Sequence, residues 1–296
     1  MTDGVKQWPV ALRLADRMGR GRGRMRFIDR LQSVPRPRKP DLTHWDQQEL
    51  AAVWIGHATV LLRMGGMTIL TDPVFSNRIG IGFGLFTGGP QRHLAPALSL
   101  QELPPIDLVL VSHAHFDHLD RPTLSRLPKR VPVITAHDTA DLIRDLGFQH
   151  ITEMRWGESL QLASIKVTSQ KVRHWGARTF IDQHRGFSGF VIESGKRRVL
   201  YGADTAYCDY FREAGKVDLA ILGIAAYDPY IQAHATPEQA WEMADHVRAD
   251  YILPMHHSTF RLSHEPMNEP IERMLEVAGS GRDRIVVREV GGQWSL

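Results

Sequence analysis

Three histidines and two aspartates fall within nine residues, 112–120, which read SHAHFDHLD. Residues 113–118 have the pattern H-x-H-x-D-H, and both x positions are apolar, so they can pack away while the polar groups converge. Imidazole and carboxylate groups this close together are hard to satisfy by hydrogen bonds alone once they are buried. In the absence of thiolate they suit zinc, manganese or iron. A structural zinc would more often use cysteine, so the segment predicts a metal site that carries chemistry.

The cluster follows directly on a predicted buried strand at 108–111, and α/β sheets place their sites at such carboxyl edges. Apolar runs between turn residues predict further strands at 52–55, 58–62, 67–70, 132–135, 164–172, 187–193, 198–201, 219–224 and 251–254. Helices are predicted at 121–127, 138–146 and 236–247, the last with Thr236 as N-cap before a proline. Residues 76–96 are rich in Gly, Pro and Phe without periodicity and predict a long surface loop. The pattern indicates one mixed α/β domain.

The composition is that of a globular protein, with 43% hydrophobic and 23% charged residues. No window approaches the roughly 20 apolar residues of a membrane span, and the first residues lack the apolar region of a secretory signal. The single cysteine, Cys208, excludes an intrachain disulfide framework and fits a reducing compartment. We therefore expect a cytoplasmic protein.

Positive charge is concentrated at the start of the chain. Residues 1–40 hold nine Arg and two Lys against three Asp (11 − 3 = +8), whereas the other 256 residues hold 25 basic and 30 acidic side chains (25 − 30 = −5). This predicts a basic, partly disordered arm at 1–40, followed by a folded domain at 41–296. The arm is expected either to lie over the domain or to contact an anionic membrane surface peripherally. Nucleic acid is the less favoured partner because the body is net negative.

With the apolar strand before it, the H-x-H-x-D-H segment resembles the signature of the metallo-β-lactamase superfamily. The resemblance implies the α/β class and a four-layer αββα sandwich with two mixed β-sheets. It also implies two divalent metal ions, with zinc expected and manganese or iron as alternatives. Further ligands are implied at later strand ends, and candidates follow in the family's order. The implied set is His113, His115 and His174 on one metal, Asp117, His118 and His256 on the other, and Asp204 bridging them.

Within the superfamily, residues 50–265 resemble more narrowly the N-acyl-phosphatidylethanolamine-hydrolysing phospholipase D group. The similarity rests on W-I-G-H-A-T at 54–59, T-D-P at 71–73, G-P at 89–90, E-L-P-P-I-D at 102–107, A-D-T-A-Y-C at 203–208 and H-A-T-P-E-Q-A at 234–240. It implies a phospholipase D-like phosphodiesterase acting on a small or phospholipid-like substrate. The ascorbate-6-phosphate lactonase family shares part of the pattern and the superfamily includes nucleases, so a lactonase and a nuclease remain alternatives.

The resemblance implies hydrolysis by a hydroxide that bridges the two metals, without a protein nucleophile. Asp117 is then expected to orient this hydroxide as well as to bind a metal. His234, shortly before Thr236, is implied to face the substrate phosphate, where it donates a hydrogen bond or protonates the leaving oxygen. A loop histidine without contacts is the alternative interpretation of His234.

Three residues near these motifs have other interpretations. Asp72 is expected to accept a hydrogen bond from a ligand imidazole and so to fix its tautomer. His57, in a predicted strand, is interpreted as a structural histidine rather than as a partner of a ligand. His257 follows a ligand directly, but the family match assigns the metal to His256. The oligomeric state stays open, with a homodimer among the alternatives.

Overall fold

Two mixed β-sheets dominate the structure, a computed structural model that describes residues 34–83, 86–179 and 181–296. With strands numbered along the chain, the first sheet contains β1 (Leu50–Gly56), β2 (Thr59–Met64), β3 (Met67–Thr71), β6 (Leu108–Val111), β7 (Val133–Ala136), β8 (Ile151–Met154) and β15 (Gln293–Ser295). Their order across the sheet is β15-β1-β2-β3-β6-β7-β8. Pairing is antiparallel from β15 to β3 and parallel from β3 to β8.

The second sheet has six strands in the described part of the chain. They are β9 (Ser159–Leu162), β10 (Ile165–Gln170), β11 (Gly189–Ser194), β12 (Arg197–Tyr201), β13 (Leu219–Gly223) and β14 (Tyr251–Met255). The order is β14-β13-β12-β11-β10-β9, parallel among β12, β13 and β14 and antiparallel elsewhere. A separate small hairpin pairs β4 (Ile81–Phe83) with β5 (Phe86–Gly88).

In the described part of the chain, three α-helices lie outside the sheets: α1 (Arg121–Leu124), α2 (Pro237–His246) and α3 (Glu269–Ala278). The predicted start of α2 is confirmed as a capping box. The Thr236 hydroxyl accepts a hydrogen bond from the Gln239 N–H, and the Gln239 side chain accepts one from the Thr236 N–H. These two bonds satisfy orphan donors of the first helical turn.

Apolar side chains divide the molecule into layers. Residues of both sheets, among them Trp54 and Phe190, form the core between the sheets. Helices α2 and α3 cover the outer face of the second sheet, where Met243 and Met274 are fully buried. Helix α1 and short 3-10 turns cover the outer face of the first sheet around Leu124. The predicted four-layer αββα sandwich of the α/β class is thus confirmed.

Two local predictions are wrong. Residues 138–146 form 3-10 turns at Ala140–Leu142 and Arg144–Leu146 instead of a helix, and the Glu153 carboxylate of β8 accepts the N–H groups of residues 139 and 140. The predicted long loop at 76–96 contains the β4–β5 hairpin. Strands β8, β9 and β15 and helix α3 are not predicted at all.

Residues 34–296 form one compact unit. Residues 34–40 run without helix or strand, and the Ala95 N–H donates to the Pro35 carbonyl. The rest of the predicted basic arm, 1–33, lies outside the described residues, so the arm and its boundary stay predictions. No helix in the described part of the chain is long and apolar enough to cross a membrane.

Candidate metal centre

The predicted site residues lie on loops at the carboxyl ends of strands. Residues 112–120 connect β6 to α1, and single loop residues follow three strands of the second sheet: His174 after β10, Asp204 after β12 and His256 after β14. These three strands run in the same direction, so their carboxyl ends meet at one edge. His234 lies two residues before the N-cap of α2.

A first ligand group consists of His113, His115, His174 and Asp204, whose candidate ligand atoms all lie within 4.8 Å of one another. His115 Nδ1 is 2.8 Å from His113 Nε2 and 3.2 Å from His174 Nε2. The Asp204 Oδ2 atom is 3.7 Å from His174 Nε2 and 3.9 Å from His113 Nε2. Three imidazole nitrogens and one carboxylate oxygen therefore face a common point.

The outer nitrogens of this group fix the tautomers of two imidazoles. His174 Nδ1 donates to the Ala233 carbonyl at 2.9 Å. The Ser112 hydroxyl gives its one hydrogen to Asp72 at 2.6 Å, so His113 Nδ1 donates to Ser112 Oγ at 2.8 Å. Each ring then carries a lone pair on Nε2, aimed at the common point. Lone pairs that converge in this way lack a donor, and a cation satisfies them.

A second ligand group consists of His57, Asp117, His118 and His256, again with candidate ligand atoms within 4.8 Å of one another. His256 Nε2 is 3.3 Å from His118 Nε2 and 3.4 Å from Asp117 Oδ2.

Asp204 lies between the two groups. Its Oδ2 is 3.1 Å from His118 Nε2, and its Oδ1 is 3.2 Å from His256 Nε2. The same carboxylate therefore reaches both groups, which is the position that the family resemblance implies for a bridging ligand.

Asp72 holds His118 from the core side, as the sequence predicted. The Asp72 carboxylate accepts from His118 Nδ1 at 2.7 Å, from the Ser112 N–H at 2.7 Å and from the Tyr201 hydroxyl at 2.5 Å. Asp72, His118 and Tyr201 are fully buried. This network fixes the orientation of the His118 ring.

The three imidazoles of the first group are neutral. Burial lowers the pKa of His113 well below its usual value, lowers that of His115 to about 3, and lowers that of His174 as well. Neutral imidazole is the form that binds a metal ion.

In the second group, electrostatic attraction favours the charged form of both the imidazoles and the carboxyl groups. Burial lowers the pKa of His118 and His256, but the charges of Asp204 and Asp117 outweigh burial, so the pKa of His256 rises to about 9 and that of His118 rises well above its usual value. Burial would raise the pKa of both carboxyl groups, but the charge on His118 holds each well below its usual value.

The donor set of the second group therefore fits a divalent cation. Protons on Nε2 of both His118 and His256 would face each other across 3.3 Å, where neither nitrogen can accept. A cation at this position would accept both lone pairs and would supply the positive charge that the two carboxylates require.

Asp117 and His234 are among the members of this cluster that are partly open to solvent. The Asp117 and His234 side chains are 13% and 14% exposed, whereas that of Asp204 is 2% exposed. His234 Nδ1 lies 3.8 Å from Asp204 Oδ2, and its ring lies against His174 and His256. These contacts place His234 at the cluster, so the interpretation of His234 as a loop histidine without contacts is wrong.

His57 is placed differently from the sequence interpretation. It occupies a turn between β1 and β2, and its Nε2 is 2.9 Å from Asp117 Oδ2. It is therefore a partner of a predicted site residue and not a histidine of structural packing alone. Among the described residues there are three candidate ligand groups, and His257 belongs to none of them. The centre of its ring lies 4.5 Å from that of Trp54.

Arg178 is a residue of the site region that the sequence did not single out. Its Nη1 donates to the carbonyls of Ala114 at 2.7 Å and Leu119 at 2.8 Å, and its guanidinium lies 4.0 Å from the Phe116 ring centre. Arg178 thus joins the loop at 175–188 to both ends of the H-x-H-x-D-H loop. No spacing in the sequence indicates this contact, because it depends on how two distant loops meet.

Comparison with protein families gives a match to the Beta-lactamase superfamily domain over residues 67–257. N-acyl-phosphatidylethanolamine-hydrolyzing phospholipase D 1 of Caenorhabditis elegans is 32% identical over 256 residues, which cover 79% of this chain and 71% of that protein. A metal-dependent hydrolase of Thermoplasma acidophilum is 25% identical over 246 residues, covering 82% of this chain and 97% of that protein.

Among solved structures, the metallo-β-lactamase fold protein YhfI from Bacillus subtilis is similar with a TM-score of 0.57. The match covers 83% of this chain and 99% of that one, at 17% sequence identity. At this identity the likeness concerns the fold alone.

Proposed function

We propose that the chain hydrolyses a phosphodiester bond of a phospholipid-like substrate. The premise is that it belongs to the beta-lactamase superfamily and, within it, to the homologues of the N-acyl-phosphatidylethanolamine-hydrolysing phospholipase D. It is a metal-dependent hydrolase of the superfamily. The observation that carries the proposal is the position of Asp204, which lies within reach of two groups of ligand atoms at once.

The proposed ligands divide into two sets, with zinc as the preferred metal. His113, His115 and His174 hold one cation, Asp117, His118 and His256 hold the other, and Asp204 contributes to both. When bound, two such cations polarise a phosphodiester and lower the pKa of a water molecule. The absence of thiolate among these residues leaves manganese and iron as alternatives.

Asp117 and His234 are the proposed catalytic residues, because both side chains are partly exposed and lie beside the other ligand atoms. Asp117 orients the attacking water through its carboxylate. Burial lowers the pKa of His234 well below its usual value, so the ring is neutral at pH 7. A neutral imidazole donates a hydrogen bond to a phosphate or leaving oxygen, and we favour this role for His234 over transfer of a full proton.

A groove beside the H-x-H-x-D-H loop supports a substrate with an apolar part. Its volume is about 460 Å³, which lies within the range of small-molecule sites. Its lining combines apolar with charged side chains: Ile79, Ile81, Phe116 and Leu146, and Arg78, Asp120, Arg121 and Arg178. Phe116 stands between two proposed ligand residues in the sequence, so one wall of the groove belongs to the loop that carries them.

The test is hydrolysis by full-length protein loaded with Zn²⁺, Mn²⁺ or Fe²⁺. The substrates are N-acyl-phosphatidylethanolamine vesicles, bis(p-nitrophenyl) phosphate, a lactone and single-stranded RNA. We expect phosphodiester cleavage that a chelator abolishes and added metal restores. Cleavage of the lactone without any phosphodiester cleavage would establish the lactonase alternative, and cleavage of RNA alone would establish the nuclease.

The basic arm is proposed to bring the enzyme to anionic membranes from the cytoplasm. Its +8 net charge supports electrostatic attraction to anionic headgroups, which falls with salt. Flotation with anionic and neutral vesicles at low and high salt tests this. Equal binding to both vesicle types would contradict it.

A further inference from the structure

His57 is a fully buried imidazole to which the proposed reaction assigns no role. Its backbone is held on both sides. The His57 N–H donates to Thr259 Oγ1 at 2.9 Å, and its carbonyl accepts from Trp54 Nε1 at 2.7 Å and from the His256 N–H at 3.1 Å. The ring is further enclosed by Phe260, with ring centres 5.1 Å apart. His57 therefore presents its imidazole in one orientation.

The two ring nitrogens of His57 have unequal surroundings. Nε2 lies 2.9 Å from Asp117 Oδ2, whereas Nδ1 is buried and has no hydrogen-bond partner among the described residues. A buried N–H without an acceptor is rare, while an unused lone pair is tolerated more often. The proton of the neutral ring therefore sits on Nε2 and is donated to Asp117.

We propose that His57 is a positioning residue that holds Asp117 by an Nε2–H···Oδ2 hydrogen bond and thereby sets the affinity of the second ligand group for its divalent cation. The inference rests on the proposed function of the two ligand groups. Because a protonated Nε2 has no lone pair, His57 acts on the cation through Asp117 and is not itself a ligand.

The need for such a partner follows from the exposure of Asp117. Its side chain is 13% exposed, so burial alone does not restrict it as it does His118, which Asp72 holds inside the core. The bond from His57 fixes which oxygen of Asp117 faces His118 and His256. Partners of this kind typically change metal affinity by roughly 10- to 100-fold when they are removed.

A matched pair of amide substitutions tests the inference. The amide nitrogen of His57→Gln reaches the position of Nε2 and can donate to Asp117, whereas that of His57→Asn reaches only the position of Nδ1. The backbone φ of His57 is 55°, a conformation that Asn tolerates better than Gln. Backbone strain therefore works against the expected result and cannot produce it.

The measurement is competition between full-length protein and a chelator for Zn²⁺, which yields the two dissociation constants. We expect His57→Asn to weaken one cation roughly 10- to 100-fold and leave the other unchanged, with His57→Gln within a few-fold of wild type. Equal weakening in both variants, or none in either, would overturn the inference. Thermal unfolding of the metal-free proteins shows whether the variants fold alike.

The tautomer of His57 can be read without any substitution. In Zn²⁺-loaded wild-type protein, long-range ¹H–¹⁵N spectra of the imidazoles are expected to show the His57 proton on Nε2. A proton on Nδ1 would mean that Nε2 binds the cation, which overturns the inference. Binding of one cation only by the wild type would overturn the proposed two-cation function, whereas two cations with an unaltered His57→Asn variant would overturn the role of His57 alone.

Discussion

The two ligand groups share Asp204 but are held in place by different means. In the first group, His113 and His174 donate to a hydroxyl and a main-chain carbonyl, both neutral. In the second group, His118 donates to the buried carboxylate of Asp72, and Asp117 accepts from His57.

This difference determines where each group is vulnerable. Hydrogen bonds to charged groups contribute about twice as much as neutral ones, and one side-chain substitution removes them. The carbonyl that holds His174 belongs to the main chain and stays after any substitution. We therefore expect that the second group can be weakened selectively, while the first depends more on loop position.

The largest effect is expected for Asp204→Asn. Both ligand groups use this carboxylate, so the substitution should weaken both of them. Neither cation should survive gel filtration, and hydrolysis should fall on the order of 10³-fold or more. Metal analysis measures the retained cations, and initial rates measure hydrolysis. Asp209→Asn is the control, since that carboxylate is 69% exposed. Two retained cations in Asp204→Asn would contradict the bridging role.

His234→Ala should affect the reaction and neither ligand group. We expect hydrolysis to fall about 10²-fold through loss of a hydrogen-bond donor to the phosphate, with two cations still bound. Rates and metal content of the same preparation test this, with the exposed His264 changed to Ala as control. Loss of a cation would instead make His234 a ligand, in the group that it forms with Asp204 and His256.

Asp72→Asn separates the two groups. The amide keeps the size of the side chain but removes the charge that fixes the His118 tautomer, so the second cation should bind about 10- to 100-fold more weakly. The first cation should weaken less, because Asp72 reaches that group only through the Ser112 hydroxyl that holds His113. Zn²⁺ competition measures both constants. Parallel weakening of both cations would show that the groups are not held independently.

Much of the site could be predicted from the sequence, since local patterns carry it. The apolar strand before residue 112 delivers the H-x-H-x-D-H loop to a sheet edge, and the structure brings His174, Asp204 and His256 to the same place. The capping box at Thr236 is equally local. Their roles as metal ligands stay a prediction.

What the sequence did not yield depends on contacts between distant segments. His57 reads as a strand residue, and only the meeting of the β1–β2 turn with the loops after β6 and β14 places it on Asp117. Strand β15 forms by pairing with β1. Helix α3 is different, because apolar residues at 271, 274, 275 and 278 have helical spacing and were a signal that the prediction missed.

The smallest effect is expected for Arg178→Gln. Arg178 supports the H-x-H-x-D-H loop, which carries residues of both ligand groups. Burial lowers the pKa of Arg178 to about 10, so it stays charged at pH 7 while it donates to the Ala114 and Leu119 carbonyls. Gln cannot reach both carbonyls, and we expect the free energy of unfolding of the metal-free protein to fall by about 1–3 kcal/mol. Denaturant unfolding measures this free energy, with the exposed Arg144→Gln as control.

Because the loop carries both His113 and Asp117, Arg178→Gln should lower the affinity for both cations by the same factor. Selective loss of either cation would mean that Arg178 supports one group alone.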